Sequence, residues 1–249
     1  MQKLFKQNWW KILGVVLLVY VIIGGLLVPL FDGTNADSLH FPNQAILYET
    51  VRNLFFHVTM WFAMVFLLLY AFVNSIIYLS TGNINYDIYA RNAVKIALLF
   101  GAFGIFTGMI WVKATWAAHL PFTDLEAYWV KEDAKLNGAA IGMLIYFAYM
   151  ILRGSVEDEN KRARLAAVYN IFAFVIYILF IFVIPRLTSS LHPGNGGNPG
   201  FSAYDLDSTL RLFFYPAVFG WTLIAFWIAS LGVRLDFIQK KIEDGTDKT

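Results

Sequence analysis

Long uncharged hydrophobic runs alternate with short polar stretches along the whole chain. A bilayer core roughly 30 Å thick requires about 20 apolar residues per helix, and continuous apolar runs are typical of helices rather than barrel strands. The sequence therefore predicts an all-α integral membrane protein, a six-helix bundle in which residues 1–249 form a single membrane domain. The predicted helices occupy residues 12–31, 54–79, 96–113, 136–153, 164–186 and 210–233.

Composition supports a membrane protein over a soluble one. Hydrophobic residues make up 59% of the chain and charged residues only 14%, whereas a soluble domain is about 25% charged. The absence of cysteine excludes disulfides and thiolate metal sites. Three lysines precede the first apolar run, as in a signal peptide, but the run continues to Phe31 without a small-residue cleavage pattern. An uncleaved first helix is therefore expected.

The distribution of Lys and Arg predicts the orientation in the membrane. Of the 19 residues, 13 fall on one side of the predicted helices and 6 on the other. Because cytoplasmic loops carry the excess of Lys and Arg, both termini are predicted to be cytoplasmic. The outer loops are then residues 32–53, 113–135 and 185–211, and the middle one is rich in tryptophan.

Histidines concentrate on the predicted outer side. All four lie in outer loops or at outer helix ends: His40, His57, His119 and His192. His57 lies one turn into the second predicted helix, among aromatic residues, and imidazole is a good axial ligand for haem iron. His192 lies in a Gly- and Pro-rich loop, and His119 is a weaker candidate for an extra ligand. A helix-end histidine bonded to a neighbour, or a solvated loop histidine, remains the alternative interpretation of each.

Aromatic and cationic residues surround these histidines in the sequence. Four aromatic residues in or beside the middle outer loop offer flat apolar faces to a planar ligand, or else form an interfacial belt: Trp111, Trp116, Tyr128 and Trp129. Five cations are candidate partners for the two carboxylates of haem, or else snorkel from helix ends: Arg52, Lys131, Lys135, Arg186 and Arg211.

The remaining motifs are structural or absent. Gly101, Gly104 and Gly108 include a G-x-x-x-G spacing that predicts close helix packing, and Pro216 predicts a kink in the sixth helix. No phosphate-binding loop, nucleophile elbow or H-E-x-x-H motif is present. No paired carboxylates lie within a span, so the usual relay of a proton-driven carrier is missing.

Three local motifs resemble one known family. They are N-L-F-F-H-V-T-M-W at 53–61, Y-W-V-K-E-D-A-K-L at 128–136 and L-T-S-S-L-H-P-G at 187–194. With the six-helix layout, they resemble the haem exporter protein C (CcmC) family of cytochrome c maturation over residues 9–237. The resemblance places the two axial histidines on His57 and His192. It places the family's Trp-rich segment on four residues: Trp116, Tyr128, Trp129 and Asp133.

The resemblance implies a function. The protein would hold non-covalent, b-type haem between His57 and His192 on the periplasmic face of a bacterial inner membrane. It would present this haem to a periplasmic haem chaperone during c-type cytochrome biogenesis, and it would not be an enzyme. The implied partners are ABC transporter subunits and a small single-helix membrane subunit within the lipid bilayer, with no nucleic acid.

This chain also departs from the family pattern in the Trp-rich segment. It contains fewer tryptophans, with Tyr128 in place of one, and an insertion at 119–127. Its first outer loop is also longer. Two alternative functions remain open on the sequence alone. One is a b-type cytochrome subunit that carries electrons from quinol, and the other is a scaffold subunit of a transporter without haem.

Overall fold

Six long apolar helices dominate the computed structural model of the chain. Each is long and apolar enough to cross a membrane, and the regular structure of the described residues is entirely helical. The predicted all-α, six-helix membrane architecture is therefore confirmed, and the protein is a multi-pass membrane protein. The structure describes residues 8–28, 48–115, 117–118, 120–121, 133–188, 206 and 208–246.

The helices follow the apolar runs. They are α1 Trp9–Leu27, α2 His57–Thr81, α3 Ile84–Ala114, α4 Ala134–Gly154, α5 Glu159–Ile178 and α6 Ser208–Thr246. A 3-10 helix, Tyr48–Phe55, leads into α2. A π-helical turn, Leu179–Val183, and a short α-helix, Ile184–Leu187, extend α5. The π-helical turn comes just before Pro185, whose missing N–H disfavours the regular α-helical pattern.

Helix α3 starts at Ile84, about three turns before residue 96, where its uncharged run begins. Asn83 caps this start, since its side chain accepts a hydrogen bond from the backbone N–H of Asn85 at 3.0 Å. Gly82 ends α2 with a φ of +66°, a left-handed conformation that glycine adopts without strain. The two helices are therefore joined by only two residues, and the charged first turns of α3 are helical.

The packing of the helices gives the bundle two distinct ends. Helix α2 packs against α3, α5 and α6, while α1 packs against α6 and α4 against α5. We call the end with the start of α2 the His57 end, and the end with the last turn of α4 the Arg153 end. Lys11, near the start of α1, lies 5.8 Å from the Trp227 ring in the second half of α6. Both described ends of the chain therefore lie at the Arg153 end.

The interior of the bundle is tightly packed and its outside is apolar. A side chain on Gly104 would put a Cβ 2.7 Å from Trp61 Cε2, so α2 and α3 approach closely there, as the G-x-x-x-G spacing predicts. Large hydrophobic side chains are exposed on every helix, as expected where helices face lipid. Examples are Ile12, Phe66, Phe106, Leu144, Phe172 and Phe219.

Two ion pairs, one buried and one partly exposed, join the helices at the Arg153 end. Both guanidinium NH groups of Arg153 donate to the carboxylate of Asp87, at 2.6 and 2.7 Å, and Arg153 also donates to the Tyr149 hydroxyl at 3.3 Å. Arg91 pairs with Asp236 at 2.7 Å. These contacts connect α3 to α4 and to α6, which explains why the charged first turns of α3 belong to the folded bundle.

Candidate functional site

The candidate site is built around His57, which gives the His57 end its name. His57 occupies the first position of α2 and is half-buried, and its Nδ1 lies 2.8 Å from the backbone carbonyl of Gly104 on α3. A carbonyl can only accept, so Nδ1 carries the proton and Nε2 carries the lone pair of the neutral ring. This arrangement is the one found in metal-ligating histidines, whose second nitrogen is held by a carbonyl or carboxylate.

Glycines on α3 make room for the aromatic rings of α2. A Cβ on Gly108 would lie 2.7 Å from His57 Cε1, and a Cβ on Gly104 would lie 2.7 Å from Trp61 Cε2. The His57 and Trp61 rings are nearly perpendicular, with their centroids 6.4 Å apart. The G-x-x-x-G spacing therefore does more than bring two helices together, because it also fixes the position of the imidazole.

A small polar frame surrounds the His57–Gly104 contact. Thr107 Oγ1 lies 3.4 Å from His57 Nδ1, 3.1 Å from the Gly104 carbonyl and 2.7 Å from the Phe103 carbonyl. The Asn53 amide donates to the Thr107 carbonyl at 3.1 Å. Sequence reasoning missed both Thr107 and Asn53. Only the glycine spacing around Thr107 pointed to this part of α3, and Asn53 appeared only as the first residue of the motif that contains His57.

The turn before His57 is anchored from two sides. The Phe55 carbonyl accepts hydrogen bonds from Trp221 Nε1 on α6 at 3.1 Å and from the Thr59 hydroxyl at 2.8 Å. The Phe55 side chain is fully buried in a cluster that includes Phe213 and Trp111. The change from the 3-10 helix to α2 is therefore held in place immediately before the histidine.

Two cations predicted near haem carboxylates differ in their surroundings. Arg52 donates to the Gly25 carbonyl, donates to the Val28 carbonyl at 3.1 Å, and pairs with Glu49. It therefore satisfies carbonyl groups at the end of α1, which a helix terminus leaves without intrahelical partners. Arg186 is exposed at the last turn of the extended α5. Of these two side chains, Arg186 has the more accessible charge.

Contacts on both sides of the Trp-rich loop fix its two described ends. Lys113 Nζ donates to the carbonyls of Ala117 and Ala118, each at 3.3 Å. Asp133 is 2% exposed and caps α4, accepting from the backbone N–H of Lys135 at 2.9 Å and of Leu136 at 3.1 Å. Asp133 thus has a structural role at the edge of the predicted Trp-rich segment.

Trp111 lies inside the protein instead of presenting a free ring face. It is 9% exposed and belongs to the same apolar cluster as Phe55 and Phe213. Seven other candidate residues lie outside the described residues, so their placement beside His57 stays a prediction. They are His192, His119, Trp116, Tyr128, Trp129 and Lys131, together with His40.

Comparison with known proteins identifies the family. The family model for heme exporter protein C (CcmC) matches residues 4–247. A heme exporter protein C from Bradyrhizobium diazoefficiens is 22% identical over 156 residues, which are 63% of this chain and 55% of the relative. The chain thus spans about half the length of this curated relative. Because the family match covers nearly every residue, the chain belongs to the heme exporter protein C family.

Proposed function

We propose that the protein binds haem at the periplasmic face of a bacterial inner membrane and presents it to a periplasmic haem chaperone during c-type cytochrome biogenesis. Membership of the heme exporter protein C family supports this role. The observation that carries the proposal is the 2.8 Å contact between His57 Nδ1 and the Gly104 carbonyl. It leaves the lone pair on Nε2, the nitrogen that an axial ligand uses.

In this proposal haem is a cargo held without a covalent bond. His57 supplies one axial ligand and His192 the other, with His119 as a candidate extra ligand. The Trp-rich segment covers the ring plane with Trp116, Tyr128 and Trp129. Such a site orients and protects the cargo without making or breaking bonds in it, so the proposed role is delivery and not catalysis.

Two cations are proposed to contact the haem carboxylates, Arg186 and Lys131. The exposure of Arg186 supports its assignment, whereas the guanidinium of Arg52 already donates to two carbonyls at the end of α1. A helix-end cation keeps its charged head near water while its stem lies along apolar surface. Arg186 therefore suits a ligand whose ring is apolar and whose carboxylates remain at the membrane boundary.

The proposed partners are ABC transporter subunits and a small single-helix membrane subunit. The exposed apolar faces of the helices provide surface for lipid and for partner helices. The outward orientation of the His57 end rests on the excess of Lys and Arg on the other side of the membrane.

An electron-carrying b-type cytochrome is less well supported. Such a protein needs histidine pairs on facing helices, at depths suited to electron transfer across the bilayer. Within the described parts of the six helices, His57 is the single histidine.

The test is the absorption spectrum of the full-length protein, expressed with ample haem and purified in detergent. We expect a bis-histidine spectrum in the wild type and its loss in both His57→Ala and His192→Ala. His40→Ala removes a histidine from a predicted outer loop without removing a proposed ligand, and it should leave the spectrum unchanged. An unchanged spectrum in His57→Ala and His192→Ala would contradict the ligand assignment, and absence of any porphyrin would favour a scaffold without haem.

A further inference from the structure

A groove between α4 and α5 lies away from the His57 end and has no part in the proposed haem site. Its volume is about 590 Å³. On the α5 side it is lined by a stripe of exposed apolar residues, Leu165, Val168, Phe172 and Ile176. On the α4 side it is lined by Ile145 and Leu152. The groove is therefore an apolar track that runs along two membrane-spanning helices.

The floor of the groove is closed by two residues of α5. Ala173 is buried, and its small side chain gives the groove depth between larger neighbours. Tyr169 lies beside it, and the Tyr169 hydroxyl donates to the Ile145 carbonyl at 2.9 Å. Because this polar group is bonded within the protein, the floor presents apolar atoms to an occupant. The same bond ties α5 to α4 beneath the groove.

Two exposed cations lie at one end of the track. Lys161 and Arg164 line the groove near the start of α5, at the Arg153 end. The residues that line the groove include no acid. Of the acidic residues just before Lys161, Asp158 accepts from the Lys161 backbone N–H at 2.7 Å, Glu159 pairs with Lys240 at 3.6 Å, and Glu157 is exposed. The groove thus combines a positive end with a long apolar body.

The length of the groove matches one leaflet of a bilayer. Lys161 and Ile176 are 15 residues apart on a continuous helix, which corresponds to about 22 Å along its axis. Half of a bilayer, headgroups included, is about 20–22 Å thick. The cations then lie at headgroup depth and Ile176 near the midplane. A partner helix that crosses the whole hydrocarbon core would instead need an apolar groove roughly 30 Å long.

We propose that this groove binds an anionic phospholipid of the leaflet at the Arg153 end. Lys161 and Arg164 contact the phosphate, and an acyl chain lies between α4 and α5. This leaflet is the cytoplasmic one by the distribution of Lys and Arg, and anionic lipids attract cations at its surface. Haem also combines an apolar body with two carboxylates, but the residues that line the groove include no histidine, cysteine or methionine to ligate its iron. The one tyrosine among them, Tyr169, donates its hydroxyl proton to the Ile145 carbonyl.

Native mass spectrometry of the full-length protein in detergent tests the proposal. The protein is titrated with phosphatidylglycerol, and with phosphatidylcholine of the same acyl chains as the neutral probe. We expect one phosphatidylglycerol to bind more tightly than the rest. The double variant Lys161→Gln/Arg164→Gln should weaken this binding about 30-fold, since each cation near an anionic lipid surface contributes about 1 kcal/mol and 1.4 kcal/mol is a tenfold change.

Two further variants control for general charge and for the apolar track. Lys95→Gln/Lys241→Gln removes two exposed cations that do not line the groove, and it should keep the affinity within about twofold. Val168 is exposed and lines the apolar part of the groove, so Val168→Trp places a large side chain there and should displace the bound lipid. Equal loss of affinity in both charge-removing pairs would overturn the proposal. Unchanged phosphatidylglycerol binding in both groove variants would also overturn the proposal. The groove would then be a candidate site for haem or for a partner helix.

Discussion

The two ends of the bundle organise their polar groups in opposite ways. At the Arg153 end, charged side chains pair with one another, as in the bidentate contact of Arg153 with Asp87. At the His57 end, backbone carbonyls and small residues of α3 are arranged around one imidazole, with Gly104 accepting from His57. The ion pair joins two helices through their side chains, whereas the imidazole is positioned by the backbone of a neighbouring helix.

Loss of the buried ion pair should have the largest effect on stability. Arg153→Met leaves the Asp87 carboxylate buried without its partner, and we expect a loss of about 3–5 kcal/mol in the free energy of unfolding. The double variant Asp87→Leu/Arg153→Met removes both charges and should recover most of this loss. Chemical unfolding in detergent micelles measures the free energy of unfolding of both variants. Equal losses in the two variants would show that the pair does not act as a unit.

Crowding the imidazole should affect haem binding while the rest of the bundle stays folded. Gly108→Ala places a methyl group 2.7 Å from His57 Cε1, and overpacking of this kind costs about 1–3 kcal/mol. We expect haem affinity to fall about tenfold or more in a titration followed by absorption.

Gly101→Ala is the matched control on the same helix. Its methyl group meets the flexible side chains of Met64 and Met143, which can move aside. Haem affinity should therefore stay within about twofold. An equal effect of the two substitutions would mean that α3 acts on haem through general packing and not through the His57 ring.

Removing one helix cap at each end compares the two ends directly. Asp133 caps α4 at the His57 end and Asp158 caps α5 at the Arg153 end. Loss of an N-cap costs about 0.5–2 kcal/mol. We expect Asp133→Ala to be the more destabilising in unfolding experiments, because Asp133 is buried and Asp158 is exposed. It should also weaken haem binding, which Asp158→Ala should not. The reverse order would contradict the structural role assigned to Asp133.

The smallest effect is expected at Thr107. Thr107→Val nearly keeps the shape of the side chain but removes a hydroxyl that lies 2.7 Å from the Phe103 carbonyl, 3.1 Å from the Gly104 carbonyl and 3.4 Å from His57 Nδ1. The main contact of His57 is with the Gly104 carbonyl at 2.8 Å, so haem affinity should change by less than about threefold. If haem affinity fell as much as in Gly108→Ala, the Thr107 hydroxyl and not the Gly104 carbonyl would be the more important partner of His57.

The sequence predicted the helices and the family because both depend on local patterns. Long apolar runs predict spanning helices without knowledge of their neighbours, and three short motifs, with the six-helix layout, indicated the family. The first turns of α3 were not predicted as helical, because Asp87 and Arg91 look like loop residues until their partners on other helices are known. Charge pairing between helices is a tertiary property that local composition does not specify.

The same limitation applies to the candidate site. Arg52 was predicted to contact haem, but its partners at the end of α1 lie 24 and 27 residues away in the sequence. Asp133 belongs to a recognisable motif, yet its hydrogen bonds define it as a helix cap. Sequence patterns therefore proposed candidate residues near the His57 end. The structure shows that two of them, Arg52 and Asp133, hydrogen-bond to backbone groups at helix ends.

The most direct test of the central claim, that His57 ligates haem iron, is chemical rescue of His57→Gly. The variant removes the imidazole from beside Gly104 and Gly108, and free imidazole can then enter the space. We predict that His57→Gly loses the bis-histidine absorption spectrum and that added imidazole restores it, with no response in His40→Gly. A bis-histidine spectrum in His57→Gly without imidazole would contradict the account.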